Sequence, residues 1–211
     1  MKQLLAWTAL ALLLTSPVAA QETAQPEIED ADPGEAKGDR QDAASKSADE
    51  RRAARIDMMF ARLAKATDER RARRIARHIM RRMSQSGSDT TDLLMAQAGK
   101  LMKSKSYAKA LDVLDGVVRL QPDFAEGWNR RATVYFLMGE YGRSIADIEQ
   151  VLRREPRHWG ALAGLSMILV AIDKKEDAII VMDRALTIHP NLTRMKERRE
   201  KLIQEVGGAD I

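Results

Sequence analysis

The chain contains no cysteine, which removes both a structural disulfide and the lipidated cysteine of a bacterial lipoprotein. Histidine is scarce: His78, His158 and His189 stand in separate parts of the sequence, and none has a second His, Cys or carboxylate at ligand spacing, so no metal site is expected. Glycine-rich phosphate loops, a G-x-S-x-G elbow and an H-E-x-x-H pair are all missing. Acidic pairs such as Asp112 and Asp115 read as solvated sides of helices. The chain is therefore expected to be no enzyme, with no cofactor and no small-molecule substrate. The apolar run from Leu4 to Leu14 is too short to span a bilayer comfortably, which takes about 20 residues.

What is present is a period. Pro122, Pro156 and Pro190 stand 34 residues apart, and the residues between them repeat in register as 91–124, 125–158 and 159–192. The fourth place of each repeat is large (Leu94, Trp128, Leu162), the eighth small (Ala98, Ala132, Ser166) and the eleventh large (Leu101, Tyr135, Leu169). The twentieth is small (Ala110, Ser144, Ala178) and the twenty-fourth is aliphatic or Met (Leu114, Ile148, Met182). Two antiparallel helices approach closely where one presents a small side chain for the other's bulky one to cover, and each proline ends a second helix. A repeat of this length cannot bury its own apolar face, so it stacks on its neighbours and leaves an extended surface suited to holding other molecules.

These columns resemble the tetratricopeptide repeat, W-x2-L-G-x2-Y, then A-x3-F, then P, with Trp128, Ala132, Tyr135 and Pro156 as the closest match. The seventh place departs, holding Gln97 and Arg131, and only the third repeat has Leu165 there. The resemblance implies an all-α, right-handed α-solenoid of helical hairpins, and a ligand-facing wall built by the first helix of each. Carried onto this chain, that wall holds Asp92, Met95, Met102 and Lys103, then Glu126, Asn129, Arg130, Thr133, Phe136 and Leu137, then Ala163, Met167 and Val170. It is methionine-rich, which suits contact with a peptide or helix of another protein, although stripes at helical spacing are also how core is written. Met95 and Gly99, followed by Arg130, do not match the Lys and Asn pattern of family members that clamp a terminal carboxylate.

Before the repeats, Ile56, Met59, Phe60 and Leu63 fall at i, i+3, i+4 and i+7, and Ala72, Ile75, Ala76, Ile79 and Met83 continue that spacing. A degenerate basic hairpin over 51–88 fits, with Phe60 and Ala64 at the fourth and eighth places, Ala76 at the twentieth, and Ser88 where the proline should be. The turn from Ser84 to Thr91 would end in a helix cap at Asp89, Thr90 or Thr91. At the other end, Leu192, Met195, Leu202, Ile203 and Val206 form the apolar stripe of a capping helix over 191–206.

Residues 1–20 carry Lys2, the short apolar run, and Ser16 to Ala20 with small residues where a signal peptidase reads, so a cleaved signal peptide is expected, an uncleaved anchor being the alternative. Export to the bacterial periplasm follows. Residues 21–50 have Ile28 as their only large aliphatic residue and ten acidic side chains against Lys37, Arg40 and Lys46, a net of minus 7, and are expected to be a disordered acidic linker. Residues 51–83 reverse this, with twelve Lys or Arg against Asp57, Asp68 and Glu69, a net of plus 9. Arg70, Arg74, Arg77 and Arg81 lie at i, i+4, i+7 and i+11 on one helix side. That stripe is either a solvated face, open to screening by the acidic linker, or a surface for an anionic lipid or envelope polymer; nucleic acid is not an expected partner of an exported protein. The whole therefore points to an envelope adaptor, by analogy of fold and compartment. If the register is right, Ala132→Leu should overpack its hairpin by about 1–3 kcal/mol, and Trp128→Ala should cost about 3–5 kcal/mol, both read as lowered midpoints in thermal melts.

Overall fold

A computed structural model describes residues 50, 51 and 53–207. The expected signal peptide over 1–20 lies outside the described residues, as does the acidic linker over 21–50 apart from Glu50, which is helical. Among the described residues there are nine helices and no strands. They are α1 (53–64), α2 (Glu69–Met83), α3 (Asp89–Lys103), α4 (Tyr107–Leu120), α5 (Ala125–Leu137), α6 (Tyr141–Arg154), α7 (Trp159–Ala171), α8 (Lys175–Ile188) and α9 (Thr193–Gly207). The pairs α3–α4, α5–α6 and α7–α8 are the hairpins that the prolines delimit. The cap of α3 is Ser88, one residue before the expected set, because its hydroxyl reaches the Thr91 N–H at 3.4 Å while Asp92 ties back to the Ser86 hydroxyl and N–H at 2.7 and 3.1 Å.

The turn inside each hairpin is built the same way three times. Its fifteenth place, Lys105, Gly139 or Asp173, takes a left-handed backbone with φ of 57°, 76° and 60°. That lets the next residue donate five positions back, Ser106 to the Leu101 carbonyl, Glu140 to Tyr135 and Lys174 to Leu169, at 2.9, 2.9 and 2.8 Å. This double closure satisfies the carbonyls that a helix end leaves bare. Between hairpins, Gln121, Glu155 and His189 each make the last helical hydrogen bond, and the proline that follows prevents continuation.

The small places do what the period demands of them. Ala98, Ala132 and Ser166 are at most 2% exposed, as are Ala110, Ser144 and Ala178, and the Ser144 hydroxyl donates to the Ala132 carbonyl at 2.8 Å. Where α5 crosses α4, a Cβ on Gly127 would stand 2.8 Å from a Val117 methyl, so only glycine fits. The seventh place, a departure in sequence, is a seam between repeats. Arg131 reaches back to Asp115 of α4 at 2.8 Å, grips Asp147 of α6 with two bonds of 2.7 and 2.8 Å, and lies over the Trp128 ring at 4.8 Å. Arg199 of α9 repeats the device on Asp183 of α8, and between the second and third repeats Leu165 packs into the apolar seam instead. Asp115, expected to be merely solvated, is thus half of an inter-repeat ion pair.

The basic hairpin α1–α2 forms, but it packs elsewhere than on α3. Its buried residues Phe60, Leu63, Ala72, Ala76 and Ile79 share one cluster with Trp159 of α7, and Ile188 and Leu192 pack against it. The Phe60 ring meets Trp159 edge-on, with centroids 5.8 Å apart. Arg157 lies over the Phe60 ring at 4.0 Å and pairs with Asp57 at 2.8 Å. Asn191 donates to the Ala66 carbonyl at 2.6 Å, and Gln121 to the Ser86 carbonyl at 3.4 Å. Each of the three turns that close a repeat therefore contributes one side chain to this strap or to the turn that follows it. Stacking in series would have set Arg81 at the twenty-fifth place against Gln97 at the seventh, with no carboxylate for the ion pair that joins the other repeats.

The three left-handed positions differ in cost, because only glycine adopts that conformation freely. Gly139→Val should destabilise by about 1–2 kcal/mol and Lys105→Gly should stabilise by up to about 1 kcal/mol, measured as opposite shifts of the urea midpoint at unchanged slope.

Candidate functional site

A hollow of about 100 Å³ opens between α5 and α7. Asn129, Thr133 and Phe136 line it from α5, Gly160, Ala161, Gly164 and Met167 from α7, and Ala132, Ser144 and Ile148 form its floor. Two of its lining residues are glycines one helical turn apart. At Gly160, in the first turn of α7, a Cβ would stand 3.3 Å from the His158 ring, so close packing accounts for that glycine. Gly164 lies in the helix interior, where glycine costs about 1 kcal/mol relative to alanine, yet a Cβ there would meet only an Ile148 methyl at an ordinary 3.7 Å. Packing does not require Gly164, and its missing side chain widens the hollow. On the α5 side the Phe136 ring is held by Tyr141, with centroids 5.9 Å apart.

Behind the hollow is a buried carboxylate. Glu126, 6% exposed, accepts hydrogen bonds from Asn129 at 2.9 Å and Arg130 at 3.2 Å, and meets the Nε2 of the fully buried His158 at 3.3 Å. Because His158 Nδ1 accepts the Ala161 N–H at 3.0 Å and so caps α7, the donor proton sits on Nε2. The polar patch expected at Asn129 and Arg130 is therefore engaged within the protein, and Gly99 makes room for the Arg130 guanidinium, which would lie 3.4 Å from a Cβ there.

The structure brings together Asn129, Thr133, Phe136 and Met167 from the expected wall, and separates the rest. Met95 is 6% exposed and belongs to the core of the first hairpin with Ala98, Ala110 and Leu114, which corrects its assignment to the groove. Its place on α3 points into the α4 contact. Met102 is half-buried against the same core, and Val170 against the core shared by α8 and α9. Leu137 is exposed at the end of α5 without lining the hollow. Arg70, Arg74, Arg77 and Arg81 are all exposed on α2. Sequence reasoning missed Gly160 and Gly164, whose only signal was a pair of glycines spaced i, i+4 inside a helix pattern.

A tetratricopeptide repeat family model matches residues 129–192. A TPR repeat-containing protein of Rhizobium etli is 39% identical over 154 residues, covering 73% of this chain and 76% of that protein. Human tetratricopeptide repeat protein 34 is 25% identical over 178 residues, but the chain covers only 31% of it and 70% of itself is matched. Among solved structures, the first TPR domain of Spaghetti (RPAP3), bound to the HSP90 peptide SRMEEVD, aligns with a TM-score of 0.53 at 20% identity over 56% of this chain and 93% of that one. The TPR2B domain of yeast Sti1 in its pHsp70 complex aligns at 0.51 and 14% identity over 58% and 99%. At these identities the structural likeness is one of fold.

Two buried ionisable groups set how the molecule responds to acid. His189, 5% exposed, stands edge-on to Trp159 and lines a hollow with Arg70, Arg73, Arg74 and Arg77 of α2. Burial pulls its imidazole below the ordinary value. The unfolded chain takes up that proton near pH 6.5 and the folded one resists it, so stability is full above about pH 6.5 and falls as the pH drops. At Glu126, burial would raise the carboxyl, but the His158 hydrogen bond and the Arg130 guanidinium outweigh it and hold the group below its ordinary 4.5. Its contribution is present above that value and lost below it. Urea midpoints should thus fall in two stages with pH, the first removed by His189→Phe and the second by Glu126→Gln.

Proposed function

Because the chain belongs to the tetratricopeptide repeat family, a scaffold for protein–protein contact, we propose that it is a non-enzymatic periplasmic adaptor. On this reading its α5–α7 hollow holds a peptide or helix of a partner in cell-envelope organisation or integrity. The observation that carries it is the hollow that Gly164 widens beside exposed Met167 and half-buried Phe136. A helix that carries glycine where alanine would fit gives up stability for space, and the space has room for an apolar side chain with adaptable methionine at its rim. The peptide-bound state of the RPAP3 domain supports the same mode of use. Export rests on the leader read in residues 1–20, and the envelope role on compartment and fold by analogy.

A second reading, an envelope-surface binder working through the arginine face, is favoured by the exposure of Arg70, Arg74, Arg77 and Arg81. A photoreactive residue at Phe136 or at Arg77, activated in cells, separates the two. A discrete protein adduct at Phe136, lost when Gly164→Leu fills the hollow but kept in Gly164→Ala, is the expected result. Adducts arising only at Arg77 would contradict the groove reading. Gly164→Ala should itself raise stability by about 1 kcal/mol, which separates lost space from lost fold.

A further inference from the structure

The docking of α1–α2 on the edge of the third repeat creates a second hollow, of about 600 Å³, lined by Arg70, Arg73, Arg74, Ala76 and Arg77 of α2 and by His189 from the far end of the chain. Neither part makes it alone. We propose that this hollow is a binding site for a phosphate group, held between the α2 guanidinium forks and the His189 ring. It stands apart from the groove and shares no residue with it.

Three observations support the assignment. Arg70, Arg73, Arg74 and Arg77 fall at i, i+3, i+4 and i+7, so neighbouring side chains start about 5–6 Å apart on one face. Of the four, Arg73 is paired with Glu69 at 2.6 Å. Among the described residues no carboxylate lies within 4.0 Å of the other three, whereas Arg131, Arg157 and Arg199, which join elements of the solenoid, all have one. Lastly, the buried His189 has no hydrogen-bond partner at Nδ1. A buried ring nitrogen left bare is destabilising, and it belongs to the same ring that lines the hollow.

The chemistry selects phosphate over carboxylate. Guanidinium forks pair with both, but cations spaced along one side of a hollow call for oxygens facing several directions. A phosphate or diphosphate presents such oxygens, whereas the two oxygens of a carboxylate share one plane. The same group could come from a lipid headgroup or from a soluble diphosphate. A solvated stripe differs from a site in one respect that can be measured: Arg81 lies on the same helix face one turn further on and does not line the hollow.

The test uses the full chain with two probes, pyrophosphate by calorimetry at low salt, and vesicles of phosphatidylglycerol compared with phosphatidylcholine by flotation. Arg74→Gln with Arg77→Gln should weaken binding by about tenfold or more, while Arg81→Gln with Arg82→Gln, which removes equal charge, should change it by less than about twofold. His189→Phe, which keeps an aromatic edge on Trp159, should lower affinity as well. All these arginines are exposed, and unchanged thermal melts would show that the fold is intact. Binding of pyrophosphate identifies a soluble phosphate as sufficient, and binding of phosphatidylglycerol vesicles alone identifies a headgroup. Equal losses from the two double variants, preference for an acidic peptide over both probes, or no binding of either probe would each overturn the site.

Discussion

A two-helix hairpin has an apolar face on each helix and can cover only part of it by itself. The arrangement of the described helices follows from how the uncovered part finds a neighbour. Between the first and second repeats the answer is Arg131, which links α4, α5 and α6 through Asp115 and Asp147 while resting on Trp128. Between the third repeat and α9 it is Arg199 with Asp183, and Leu202 with Met195 against Met182. The α1–α2 hairpin lacks a carboxylate at the seam position and settles its aromatic and aliphatic residues against Trp159, Ile188 and Leu192 instead.

That division of labour leaves the proposed binding surface where it is. Second helices and small places are consumed by packing, so the faces of α5 and α7 that carry Thr133, Gly164 and Met167 stay open, with Phe136 packed against Tyr141 at their edge. Glu126 then fixes the geometry behind them, binding Asn129 and Arg130 of its own helix and His158 at the start of the next first helix. One buried carboxylate thereby sets both the side chains beside the hollow and the position of the helix across it. The strap and the turn after it touch the turn that closes each of the three repeats, which ties the spacing of the hairpins to the docking of α1 and α2.

Much of this was legible in the sequence, and the limits have physical causes. The eighth, twentieth and twenty-fourth places announce themselves because close helix packing tolerates only certain sizes there. Arg131 looked like a departure because its partners lie 16 residues to either side, in other columns of the repeat. Met95 was placed on the wrong face since its position on a first helix can turn towards either the groove or the second helix, and periodicity does not say which. The strap was beyond reach for a deeper reason. An apolar stripe shows that a helix has something to bury but not against what, and Phe60 and Trp159 are joined by no period.

The claim that the basic hairpin straps the edge of the third repeat, rather than extending the stack, is most directly tested by hydrogen exchange on the full chain and on its Phe60→Ala variant. Loss of the Phe60 contacts should lower protection in α1, α2 and the turns around Arg157 and Asn191, leaving α3 and α4 at their original rates. Protection lost instead in α3 and α4, with the third-repeat turns unaffected, would mean that the hairpin leans on the first repeat and would contradict the account.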